Sequence, residues 1–147
     1  MKYRDIGKNV ELVETDCYKP ELVLASENIV KETLAIRDTY EYVLINDDTV
    51  EYYTIVDKNG MNSLAFNATK MFLGTLAGTL ASHHAGGRTR EKLVFVKLKN
   101  DKRILMIVGE GYMHLIRCKN KRHKDDMDED DIQWVKYALD KNDIELI

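Results

Sequence analysis

Proline and cysteine are scarce in this chain: its 147 residues include one Pro, two Cys and a single Trp. With one Pro and eight Gly there is no Pro- or Gly-rich linker and no low-complexity tract, so a single globular domain over residues 1–147 is expected. The two cysteines, Cys17 and Cys118, lie far apart and form no CxxC or Cys/His spacing, which argues against a disulfide framework and against structural zinc. Charge of one sign is lacking too. Lys and Arg total 22 against 25 Asp and Glu, a formal charge of -3, so no global field commits the chain to nucleic acid or to an anionic membrane. The longest apolar-leaning stretch, Leu64 to Ala81, is broken by Asn67, Thr69, Lys70, Thr75 and Thr79, and "MKYRDIGKNVELVE" holds no apolar core of signal-peptide length. The expectation is a soluble, cytoplasmic protein with no membrane insertion.

What is present is a core. Hydrophobic residues make up 44% of the chain. Residues 1–60 are strand-rich, with β-branched and aromatic runs at Ile29 to Ile36, Tyr40 to Ile45 and Val50 to Val56. Between the last two stands "NDDT", whose side chains bond locally to backbone, so these runs are expected to form an antiparallel hairpin. Ala65, Ala68, Phe72, Leu76 and Leu80 recur at helical spacing after a candidate cap at Asn62 or Ser63, predicting a central helix over 62–84. "KLVFVKLKNDKRILMIV" predicts a second hairpin around "ND", and "YMHLIRC" one more strand, together spanning 91–118. His114 alternates in that strand and is expected at a core edge or pocket wall. Asp125 to Asp131 read as the solvated, dipole-complementing start of a C-terminal helix at about 127–140, with Ile132, Val135 and Leu139 on its apolar face.

The fold class expected is therefore α+β: antiparallel sheet built from hairpins, one central helix and one C-terminal helix. A doubly wound parallel fold would need a helix between most strand pairs. An antiparallel sheet capped by a C-terminal helix resembles small, partly open barrels, including those of pleckstrin-homology type. The long central helix departs from that pattern, and no motif identifies a family.

One stretch, "GTLAGTLASHHAGGRTR", gathers the candidate functional residues. Gly74, Gly78 and Ser82 stand four apart and leave a ridge without bulk, suited to close backbone packing, within the domain or as a self-association contact. His83 and His84 are adjacent and point about 100° apart on a helix, which does not suit one metal ion, so no metal is expected. Gly86 and Gly87 can bring backbone N–H groups toward an anion. Arg88 and Arg90 offer guanidinium forks, Thr89 a hydroxyl, and His84 a neighbouring ring. A plain helix stop with solvated arginines explains the same residues.

Catalytic signatures are missing: there is no Walker A loop, GxGxxG, GxSxG or HExxH, and "DDMDEDD" lacks the EF-hand frame. No cofactor and no catalytic residue is therefore assigned. Three functions remain in order. The first is a non-enzymatic binder that sequesters an anionic small molecule such as a nucleotide in a small homo-oligomer, with Tyr40, Tyr42, Tyr52 and Tyr53 available to stack a base. The second is an interaction or adaptor domain acting through sheet edges and its charged C-terminal segment, and the third a phosphate-directed enzyme.

Overall fold

A computed structural model describes residues 1–28, 31–56, 64–66 and 91–146. Its strands are β1 (Lys2–Asp5), β2 (Val10–Thr15), β3 (Leu22–Asn28), β4 (Lys31–Asp38), β5 (Glu41–Leu44), β6 (Val50–Ile55), β7 (Leu64–Phe66), β8 (Glu91–Leu98), β9 (Arg103–Gly109) and β10 (Ile144–Leu146). Among the described residues one α-helix, α1 (Glu129–Lys141), packs against the sheet of β2, β9, β8 and β6. The class is α+β on antiparallel sheet. Two four-stranded sheets run β1-β3-β4-β5 and β2-β9-β8-β6, and β7 pairs with β10 as a separate ribbon. No helix of the described residues is long and apolar enough to cross a membrane.

Side-chain alternation builds three layers. In β8, Val94, Val96 and Leu98 face the first sheet and meet Leu24, Leu34 and Ile36, while Leu93 and Phe95 face α1 and meet Val135 and Ala138. β9 does the same with Ile104, Met106 and Val108 on one side and Leu105 and Ile107 on the other. These two strands are covered on both faces, which is why their sequences read as nearly unbroken apolar runs. In β2 alternation sends Val10 and Leu12 to the inter-sheet core and Val13 to the helix side, and beyond Leu12 the register shifts so that Glu14 pairs with Leu105. Phe95 anchors the helix layer, edge-on to Trp134 at 5.9 Å and beside Tyr52 at 5.8 Å.

The hairpin predicted around "ND" forms between β8 and β9. Leu98 N donates to Lys102 O and Asp101 N to Leu98 O, with Asp101 at φ 70, a three-residue loop ending in a left-handed residue. The hairpin expected from Tyr40 to Val56 does not form. β5 pairs with β4 and β6 with β8, so "NDDT" turns a corner between sheets. Asn46 Oδ1 accepts from Asp48 N, and the Thr49 hydroxyl donates to Leu44 O; these local bonds turn the chain without requiring the flanking strands to pair.

Two further expectations are corrected. "YMHLIRC" is no strand: Glu110–Leu115 form a 3-10 helix, closed at its end by Ile116 N donating to Met113 O, and Leu115 is buried. The helix expected to begin at 62 does not include Leu64–Phe66, which pair antiparallel with Ile144–Leu146; ladder bonds to a distant segment override the local period there. The remainder of the predicted central helix lies outside the described residues. The C-terminal helix forms with Asp128 at its N-cap position.

After the 3-10 helix the chain becomes a strap that ties the two sheets along one side. Arg117 N donates to Ile45 O (3.1 Å), Tyr53 N to Asn120 O (3.0 Å) and Arg122 N to Tyr53 O (2.9 Å), giving parallel bridges to both Asn46 and Tyr53.

Candidate functional site

The sequence-predicted ligand loop, His84, Gly86, Gly87, Arg88, Thr89 and Arg90, and the small-residue ridge of Gly74, Gly78 and Ser82 lie outside the described residues. The four tyrosines proposed for base stacking do not converge. Tyr40 is exposed, Tyr52 is fully buried against α1, Tyr53 is half-buried toward the inter-sheet core, and Tyr42 stacks on Tyr3 with ring centroids 4.3 Å apart.

That last pair marks the outer face of the first sheet. Val23, Ala25 and Ala35 are buried there with Tyr42 and Leu44 packed against them. β3 and β4 place the small side chains Ala25, Thr33 and Ala35 on this face. A cleft of about 270 Å³ opens over Ala25, Thr33 and Leu44, and its rim is Glu27, Lys31, Asn46, Asp47, Asp48 and Arg117. Lys31, Asp47 and Arg117 also line a neighbouring cleft of about 360 Å³ that includes His114 and Lys119. His114 thus borders a pocket, as expected, but from an exposed position on the 3-10 helix.

The rim is held by backbone ties. Arg117 is fixed by its N–H on Ile45 O and by Nε donating to Glu32 O at 2.9 Å, a bond that engages one of the five guanidinium donors. Asp47 Oδ1 accepts from Lys119 N at 2.7 Å, and its carbonyl from Lys99 Nζ at 3.1 Å. Arg4 bonds Glu32 through both Nε and Nη2, and that hydrogen bond holds the Glu32 carboxyl below the usual carboxylate range. Cations at Lys31 and Arg117 therefore share the rim with carboxylates at Glu27, Asp47 and Asp48, over Ala25, Thr33 and Leu44. Such a rim suits a ligand carrying both an anionic group and hydrogen-bond donors.

A second cluster was missed in the sequence. Asp131, read there as part of a solvated acidic run, is 1% exposed. It accepts from Tyr52 Oη at 2.6 Å, Arg103 Nε at 2.7 Å and Lys97 Nζ at 2.9 Å. The correction has a simple cause: Asp131 is four residues before Val135 and seven before Ala138, so it lies on the helix face that packs against the second sheet. Burial and the Asp131 carboxylate push the Tyr52 hydroxyl well above the usual phenol range, so it stays protonated as the donor. Arg122 covers the other side of that ring, 4.1 Å from its centroid. With every polar partner internal, this cluster clamps α1 to the sheet.

Burial likewise pushes the Cys17 and Cys118 thiols up, which disfavours the reactive thiolate at neutral pH. Among the described residues no group of three or more His, Cys, Asp or Glu is placed to hold a metal ion. Compared with protein-family models, curated proteins and solved structures, the chain matches none.

Proposed function

We propose that the protein is a non-catalytic binding protein for a small anionic ligand of nucleotide-like chemistry, seated in the cleft on the outer face of the first sheet. The observation that carries this reading is the convergence of Lys31 and Arg117 over a floor of small side chains. Guanidinium and ammonium groups favour phosphate or carboxylate oxygens, and Glu27 and Asp48 on the same rim favour hydroxyl or amino donors. The cleft is near the lower end of ligand-pocket volumes, so a mononucleotide-sized molecule that extends toward His114 and Lys119 fits better than a larger cofactor.

Thermal-shift screening against nucleotides and other phosphorylated metabolites identifies the ligand, because binding to the folded state raises stability by mass action. Calorimetric titration then separates the two candidate locations. Arg117→Ala and Lys31→Ala should each weaken binding by about tenfold or more, while the fold is retained by circular dichroism. Binding that survives both changes and is lost in Arg88→Ala or Arg90→Ala would place the ligand on the glycine-arginine loop and refute the cleft reading.

A further inference from the structure

We propose that residues 119–130 form a self-complementary surface through which two copies of this chain associate about a twofold axis. The segment consists of two adjoining blocks of opposite charge. Lys119, Lys121, Arg122 and Lys124 make the first; Asp125, Asp126, Asp128, Glu129 and Asp130 make the second. All five acids are exposed, as are Lys119 and Lys121, while Arg122 and Lys124 are half-buried. Asp131, the next acid, is turned inward and takes no part.

The blocks do not neutralise one another within the chain. Among the described residues no ion pair joins them; His123, beside Lys124, accepts at Nδ1 from Asp125 N at 3.2 Å. Their backbone is nevertheless held in place. The strap is hydrogen-bonded to Tyr53 on both sides, and Asn120 Nδ2 donates to Glu51 O, while the acidic block leads into the first turn of α1. Both blocks are thus presented at fixed positions on one stretch of surface.

A second copy supplies the complement. Laid antiparallel, with the axis near the Lys124–Asp125 junction, it brings its acidic block against the first copy's basic block and the reverse, the isologous arrangement of a twofold contact. A parallel copy would set like against like. Exposed ion pairs contribute little each, so the association is weak, set in register by charge complementarity, and sensitive to salt. The surface is separate from the proposed ligand cleft, whose lining includes only Lys119 of this segment.

The test is sedimentation velocity on the full chain at low and high salt. The wild type should dimerise at low ionic strength and weaken by about tenfold or more near 1 M salt, where the screening length falls to roughly 3 Å. Reversing the basic block with Lys119→Glu, Lys121→Glu and Lys124→Glu should give a monomer. Reversing the acidic block with Asp126→Lys, Asp128→Lys and Asp130→Lys should do the same, and mixing the two variants should produce a heterodimer. That heterodimer distinguishes complementarity from damage, with circular dichroism confirming that each variant folds. A wild type that is monomeric at low salt and high concentration overturns the proposal. So does a dimer that both variants retain, a mixture that yields no heterodimer, or a dimer lost in Gly78→Leu but not in the charge variants.

Discussion

Removing the Asp131 carboxylate tests whether the buried polar cluster holds α1 in place. Asp131→Ala leaves Lys97, whose side chain is 10% exposed, and Arg103, at 23%, without the anion between them, and leaves the Tyr52 hydroxyl without its acceptor. Breaking a buried ion pair from one side costs about 3–5 kcal/mol, against a total stability for typical domains of about 5–15 kcal/mol. With a urea dependence of about 1–3 kcal/mol per molar, the midpoint should fall by roughly 2 M. Trp134, on the same helix and edge-on to Phe95, makes fluorescence a local reporter beside circular dichroism. Asp130→Ala, one residue away but exposed, should change stability by no more than about 0.5 kcal/mol. Equal losses in the two variants, or a loss below about 1 kcal/mol for Asp131→Ala, would refute the clamp. Acid titration adds a second reading. Burial alone raises the Asp131 carboxyl, but hydrogen bonds from Tyr52, Arg103 and Lys97 outweigh it and hold it below its ordinary 3.8. A carboxyl lowered by folding contributes stability that is present above its unfolded pKa and lost as pH falls through the folded value. This contribution should therefore begin to fall below about pH 4 and be lost once the pH has passed the lower folded value, and Asp131→Asn should flatten that part of the stability profile.

Two smaller perturbations check the packing argument. Thr54 is fully buried, and its Oγ1 has no hydrogen-bond partner among the described residues, so the nearly isosteric Thr54→Val should leave stability unchanged or raise it by about 1 kcal/mol; a comparable loss on thermal unfolding would mean that the hydroxyl is satisfied. Asp101 closes the β8–β9 loop at φ 70, so Asp101→Gly should stay within about 0.5 kcal/mol of the native chain while Asp101→Val costs about 1–2 kcal/mol in urea unfolding, and equal behaviour of the two would refute the left-handed assignment.

The parts of the fold legible in the sequence are those set by neighbours along the chain. "KLVFVKLKNDKRILMIV" carries two buried runs and the polar residues of a short loop, and the hairpin forms where expected. The acidic first turn and the spacing to Val135 mark the C-terminal helix. Choice of partner is not local. β5 and β6 each satisfy the pattern of a hairpin arm, yet each finds its ladder in a different sheet. The cleft has the same difficulty in stronger form: Ala25, Thr33, Leu44 and Arg117 come from separate segments, and only the small side chains of β3 and β4 hint that this sheet face is hollow.

The polar cluster, by contrast, left a signal that the charge pattern of "DDMDEDD" obscured. Once the loop between β8 and β9 is placed at Lys99 to Asp101, Lys97 stands directly opposite Arg103. Both then share a face with Leu93, Phe95, Leu105 and Ile107, a face buried by the helix. Two like charges opposite one another on a covered face repel, and neither has water enough to screen it, so a carboxylate must be brought in from outside the sheet. Within α1, Glu129 and Asp130 fall on the solvent side, and only Asp131 is in phase with both Val135 and Ala138. Hairpin register and helical period together therefore single out one acid among six. If that reasoning is right, the charge at Asp131 is demanded by the pair beneath it. Replacing Lys97 by Met should then lessen the cost of losing Asp131, and a double-mutant cycle should measure a coupling of about 0.5–3 kcal/mol. A coupling of zero would show that the two side chains meet without depending on each other.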